Sequence, residues 1–214
     1  MSDVQVMVAR PEHRAYAETI CQMMFEAAQV RGTGIAKRQP EYLVRKITEG
    51  KAVIALDGER VAGFCYIEDW ENQKFVANSG LIVHPDYRKR GLAKRIKSEI
   101  FRLSKRRYPH AKIFGITTSR AVMKINSELG YQPVTFSELT QDETFWRGCQ
   151  GCVNYDILTR TERKMCLCTG MVADLAKVQP EVPAPAKTPW SRFLEFIERR
   201  RQRIGNLLRS KEHV

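Results

Sequence analysis

The 214-residue sequence predicts an α/β fold, and three observations carry that expectation. Apolar residues switch along the chain between period-2 runs and 3.6-residue stripes. One period-2 stretch, Ala52–Ile67, is broken by Asp57-Gly58-Glu59, a strong hairpin signal. The stretch "LIVHPDYRKRGLAKRI" (residues 81–96) passes from an apolar run, through a proline, into a helical stripe. Its densest positive charge sits at the junction.

In order, "VQVMVA" (4–9) alternates as a first strand, and "EHRAYAETICQMMFEAAQV" carries Tyr16, Ile20, Met23, Met24, Ala27 and Val30 at helical spacing. "RGTGIAKR" (31–38) reads as a loop, and "PEYLVRKITEG" restarts a helix with Pro40 in its first turn and Gly50 past its end. Ala52–Leu56 and Val61–Ile67 form the hairpin, and "FVANSGLIV" is a third consecutive strand. The amphipathic helix that follows places Leu92, Ile96, Ile100 and Leu103 on one stripe. "AKIFGITT" is a strand, "RAVMKINSELG" a helix closed by Gly130, and "YQPVTFSEL" and "CVNYDIL" are two more strands. Expected domain limits are 1–175, a linker with four prolines within 176–189, and a basic amphipathic helix over 190–214.

The formal charge of +12 calls for an anionic partner such as a nucleotide, a nucleic acid or an anionic membrane. No apolar run reaches the ~18 residues that span a bilayer. The N-terminus lacks the order of a secretory signal, so a cytoplasmic protein is expected, with its six cysteines as thiols or metal ligands rather than disulfides.

The junction has a chemical reading. A helix start leaves N–H groups without partners at the positive end of the macrodipole, and it binds phosphate well. Gly91 and the small Ala93 let backbone approach an anion. Arg88, Lys89, Arg90 and Lys94 add attraction, and Leu92 opens the apolar stripe. A diphosphate fits best; a solvated basic cap with no ligand is the alternative. Arg88-Lys-Arg-Gly91-Leu-Ala93 resembles the R/Q-x-x-G-x-G/A pyrophosphate loop of the GCN5-related N-acetyltransferase (GNAT) superfamily, whose order of elements residues 4–159 follow.

That resemblance implies a mixed, mostly antiparallel sheet with helices on both faces and a splayed parallel strand pair, here Asn78–Val83 and Lys112–Thr118. Acyl-CoA would lie in the gap. Backbone groups of Leu81, Ile82 and Val83 would hold the pantetheine arm and stabilise the oxyanion. Glu68 matches a frequent general-base position; it also reads as a solvated strand-end carboxylate. The next helix departs from the superfamily pattern N-x-x-A-x-x-L-Y-x-K-x-G-F: Ser119 replaces its asparagine, Asn126 its acid tyrosine and Glu128 its lysine. Asn126 is therefore expected to contact the sulfur or pantetheine without supplying a proton. Either another acid serves, or the thiolate, with a conjugate-acid pKa of ~8.5, leaves unassisted. Transfer through a covalent Cys65 intermediate is the less favoured route, since a cysteine within a strand is usually inert.

Arg31, Lys37 and Arg38 lie where the superfamily builds its acceptor pocket and suit carboxylates; a plain surface loop is the other reading. A narrower resemblance, to small bacterial acyltransferases associated with arginine biosynthesis, makes glutamate the favoured acceptor, with an acetyl or succinyl donor. Protein or peptide N-acetylation and a non-catalytic acyl-CoA sensor are the alternatives. Cys149 and Cys152 (C-x-x-C) with Cys166 and Cys168 (C-x-C) are candidate ligands for structural zinc, or else unligated or redox-active thiols. The 190–214 segment suits a membrane surface or a partner groove. With few stacking aromatics, no nucleic-acid partner is expected.

Overall fold

A computed structural model describes residues 4–31 and 38–178, with Arg31 described by its backbone alone. The strands are β1 (Gln5–Val8), β2 (Ala52–Asp57), β3 (Arg60–Trp70), β4 (Phe75–Val83), β5 (Lys112–Thr117), β6 (Gln132–Val134) and β7 (Thr169–Asp174). The helices are α1 (Ala17–Arg31), α2 (Pro40–Thr48), α3 (Leu92–Arg107), α4 (Arg120–Glu128), α5 (Glu143–Arg147) and α6 (Tyr155–Arg160), with a 3₁₀ turn at Pro11–Tyr16 ahead of α1. From Gln179 onward, the expected linker and C-terminal helix lie outside the described residues. Among those described, no helix is long and apolar enough to cross a membrane.

The strands form one sheet in the order β1-β2-β3-β4-β5-β7-β6. Every neighbouring pair is antiparallel except β4 and β5. Alternation along each strand sends side chains to opposite faces, and the β3 residues show the division. Cys65 and Ile67 join a core with Leu92, Ile96, Ile100 and Phe101 of α3, and with Leu129 and Tyr131 behind α4. Phe64 and Tyr66 join another with Ile20, Met23 and Met24 of α1 and Leu43 and Ile47 of α2. Helices thus cover both faces, as the fold class requires.

Two expectations about the C-terminal third are corrected. "CVNYDIL" is not a strand: its second half opens α6, and the last strand is Thr169–Asp174, inserted antiparallel between β5 and β6. The "YQPVTFSEL" strand shrinks to Gln132–Val134 and gives way to a 3₁₀ turn at Phe136–Glu138. A short apolar run takes its state from its partners. Here Leu158 packs with Phe114, Phe136, Leu139 and Trp146 in a third cluster, as a helical side chain rather than a ladder member.

Candidate active site

The site begins with a separation of strands. β4 and β5 pair in parallel at Phe75↔Lys112, Val76↔Ile113 and Ala77↔Phe114, and the pairing goes no further. Beyond it, Asn78–Val83 and Gly115–Thr117 run on without a mutual ladder. A bulge in β4 adds to the departure: Phe64 faces Ile82 and Tyr66 faces Ser79, so Gly80 and Leu81 together stand opposite Cys65. Gly80 has φ +64, and a Cβ there would lie 2.4 Å from Tyr66 Cε1 and 2.8 Å from Met24 Cε. Only glycine fits that corner. The peptide groups of Leu81, Ile82 and Val83 lie at this edge, with the Ile82 and Val83 side chains buried beneath it.

β4 ends at the junction loop. Gly91 is the N-cap of α3 at φ +75, and it offers no side chain to cap the first turn. The starts of α4 and α5 are closed differently, by the Ser119 hydroxyl on the Val122 N–H and by the Asp142 carboxylate on the Thr144 N–H. α3 therefore presents bare first-turn amides to an anion, and nothing lies within 4 Å of where a Gly91 Cβ would be. Lys89, also at positive φ (61°), shapes the turn. Arg88, Lys89, Arg90 and Lys94 are exposed around it, Leu92 is buried and Ala93 half-buried. Two of the basic groups are already tied: Arg88 Nε donates to the Val83 carbonyl at 3.1 Å, and Lys94 pairs with Glu128 of α4 at 2.8 Å. Glu128, where the superfamily pattern has lysine, thereby fastens α4 to the start of α3.

Asn126 sits on α4 at 2% exposure, with its Nδ2 4.0 Å from where a Cβ on Gly115, the first residue of β5 beyond its pairing with β4, would be. Its Nδ2 reaches only the Met171 sulfur, at 3.8 Å. Its Oδ1 is the one buried side-chain polar atom among the described residues with no hydrogen bond. A buried amide oxygen without a partner costs about 1–3 kcal/mol, and a donor on a molecule entering the gap relieves that cost.

On the α1/α2 face, β3 and α2 bring a polar cluster together. Tyr42 donates its hydroxyl to Glu68 Oε1, and Lys46 Nζ donates to Oε2 at 2.7 Å. Arg38 Nε donates to the Tyr66 hydroxyl at 2.8 Å. Burial, before any charge effect, pushes the Tyr42 and Tyr66 phenols well above the usual range, so both stay protonated donors. Arg38, Arg45 and Lys46 all stand within 5.3 Å of the Tyr42 ring centre. Glu68 and Arg38, chosen on separate grounds in the sequence, therefore share one site. Glu68 is not the solvated strand end that was its alternative: its side chain is 13% exposed and held by two donors. The side chains of Arg31 and Lys37 lie outside the described residues.

Tyr42, Lys46 and Tyr66 were missed at the sequence level. Tyr42 and Lys46 sit four apart on α2, a spacing that carries two groups to one acceptor; that was the available signal. Lys97 was missed too. It lies on α3 between Ala93 and Phe101, so its i±4 neighbours are apolar, a sign that it leaves the wet face. It is 4% exposed.

The zinc expectation is not supported. Among the described residues, no group of three or more His, Cys, Asp or Glu is arranged to hold a metal ion. The four cysteines are free and half-buried. Burial, aided by Cys152 and Cys166, pushes the Cys149 thiol up to about 11, so it stays protonated. Cys149, Cys166 and Cys168 pack instead against the Trp146–Leu158 cluster.

Residues 19–121 match the family model described as the acetyltransferase (GNAT) family. No curated protein matches the chain. Among solved structures, N-acetylglutamate synthase from Neisseria gonorrhoeae, complexed with coenzyme A and N-acetyl-glutamate, aligns with TM-score 0.58 at 18% identity. That alignment covers 82% of this chain and 36% of the synthase, so the chain spans about a third of that protein's length. A phosphinothricin acetyltransferase from Sinorhizobium meliloti, in complex with AcCoA, aligns with TM-score 0.55 at 15% identity over 88% of this chain and 97% of its own. A GNAT-family acetyltransferase from Staphylococcus aureus aligns with TM-score 0.57 at 11% identity over 81% and 99%. These likenesses show a shared fold.

Proposed function

We propose that this chain, whose residues 19–121 match the acetyltransferase (GNAT) family model, is an N-acyltransferase that transfers an acyl group directly from acyl-CoA to the amine of a small acidic amino acid, with glutamate the favoured acceptor. The observation that carries the reading is the parting of β4 from β5 beyond Ala77 and Phe114, beside a helix start with no side-chain cap. When bound, acyl-CoA supplies an acyl carbon already activated as a thioester. The α3 amides, with Arg88, Lys89 and Arg90 around them, hold its diphosphate. Backbone groups of Leu81–Val83 hold the pantetheine arm and meet the charge that develops on the carbonyl oxygen. The stranded Oδ1 of Asn126 accepts a hydrogen bond from the same arm.

Across the sheet, Glu68 takes the proton that the attacking amine must lose. A carboxylate oxygen carries two lone pairs, so each Glu68 oxygen keeps one after Tyr42 and Lys46 are served. Arg38, Arg45 and Lys46 stand around the Tyr42 ring beside Glu68. A guanidinium such as that of Arg38 suits the carboxylate of an acidic acceptor. The fold is shared with a protein whose structure holds N-acetyl-glutamate, which agrees with an acceptor of this class.

The test is CoA release from acetyl-CoA and from succinyl-CoA across the twenty amino acids. Turnover with glutamate is expected, with Arg38→Ala raising its KM at least about tenfold, the loss of one charge-assisted pair. Turnover confined to peptides rejects the acceptor. Tight CoA binding with no turnover on any amine leaves the acyl-CoA sensor, the reading that the missing tyrosine favours.

A further inference from the structure

A thiolate leaving from the gap lacks the tyrosine of the superfamily pattern, since Asn126 occupies that position in the chain. Lys97 is a buried ammonium packed against two side chains that reach the same opening. It projects from α3, the helix that begins at Gly91, less than two turns further on. Its ammonium lies 5.3 Å from the centre of the Tyr131 ring. Tyr131 reaches Asn78 Oδ1 with its hydroxyl at 3.5 Å and donates its backbone N–H to the Asn126 carbonyl at 3.1 Å. On the strand side Lys97 faces Cys65, whose thiol donates to the Ser79 carbonyl at 3.3 Å. Asn78 and Ser79 are the first two residues of β4 past its last pair with β5. Both neighbours of Lys97 thus touch the mouth of the gap, and one of them is tied to Asn126.

A lysine does not enter a core without cause. Charged side chains are almost never fully buried unless paired, yet among the described residues no carboxylate enters the electrostatic surroundings of Lys97. The titratable groups facing it are the Cys65 thiol from β3 and the Tyr131 phenol from the segment after α4. Burial holds both protonated at neutral pH, Cys65 with its thiol pushed up to about 11. β4 offers Asn78 and Ser79, which do not titrate. Among the described residues, the ammonium is left with no anion beside it.

We propose that Lys97 is the general acid of the transfer, its ammonium delivering a proton to the sulfur of coenzyme A as the carbon–sulfur bond breaks. The inference rests on the acyltransferase reading above. The acceptor nitrogen forms the new bond to the acyl carbon and gives its proton to Glu68; the C–S electron pair goes to sulfur, which takes the Lys97 proton. Water then reloads Lys97 and discharges Glu68, so protons and electrons balance. Burial lowers the Lys97 ammonium to about 8, close to the ~8.5 of a free thiol, and a matched pair of this kind makes for easy transfer.

The test uses the full chain and its Lys97→Met variant, an apolar near-isostere, with Lys97→Gln as a second variant should Met impair folding. Two quantities are measured: kcat against pH with the best acceptor, and the ultraviolet titration of the CoA thiol in the binary complex. A kcat lower by about 100-fold, loss of the alkaline limb of its pH profile and an unchanged CoA affinity are expected. In wild type the bound thiol titrates below its free value, and in the variant it does not. A kcat within threefold of wild type, or a bound thiol that titrates alike in both proteins, overturns the proposal. If no acceptor turns over, the functional reading fails separately, and the thiol titration still decides Lys97. Absence of any CoA binding overturns both.

Discussion

Lys97 and Cys65, buried side by side, pull the pH dependence of stability in opposite directions. The folded Lys97 ammonium is at about 8, below its unfolded ~10.4. Between those values the unfolded chain binds more protons, so this contribution makes stability rise with pH. Cys65 is at about 11 when folded, above an unfolded ~8.5, so its contribution is lost as pH climbs from ~8.5 to ~11. Wild type masks both. Cys65→Ala removes the opposing member. The difference in unfolding free energy between Cys65→Ala and Cys65→Ala/Lys97→Met, followed by urea unfolding from pH 7.5 to 10, is expected to shift in favour of the lysine by on the order of 2 kcal/mol. A difference that stays flat would mean that Lys97 is solvated in the folded state.

Among the elements, the β4 bulge shapes the site most. It lets two residues stand opposite Cys65, turns β4 away from β5, and seats Tyr66 against the one residue without a Cβ. Gly80→Ala drives a methyl into the Tyr66 ring and keeps a left-handed backbone that L-residues resist. The expected cost is about 2–4 kcal/mol, read as a lower thermal midpoint. Tyr66 is also expected to lose its register with Arg38, raising KM for the acceptor. An unchanged midpoint would show that the corner is looser than described.

α3, its basic loop and the β2–β3 hairpin were legible because their signals are local: a stripe, a proline, a glycine, an Asp-Gly pair. Glu68 and Arg38 were found individually, but their meeting depends on α2 crossing β3, with Tyr42 and Lys46 as the link. β7 was lost because "TGMVAD" makes sense as a strand only with β5 and β6 on either side. α6 was mistaken because seven residues of mixed apolar character carry no period long enough to choose.

For the whole molecule, the sheet order places the single parallel pair in the middle, with α3 and α4 behind it and the Glu68–Arg38 cluster in front. One face can then receive a cofactor and the other an acceptor, with the opening between β4 and β5 as their meeting point. Part of the +12 charge gathers at the start of α3, on Arg88, Lys89, Arg90 and Lys94. One measurement tests the fold and the site together: the structure of this chain crystallised with acetyl-CoA. The diphosphate is expected on the amides beside Gly91 and the thioester between Asn78–Val83 and Gly115–Thr117. The Lys97 ammonium is expected to face the sulfur. Coenzyme bound elsewhere, or β4 and β5 laddered to their ends with Gly91 bare, would contradict this placement.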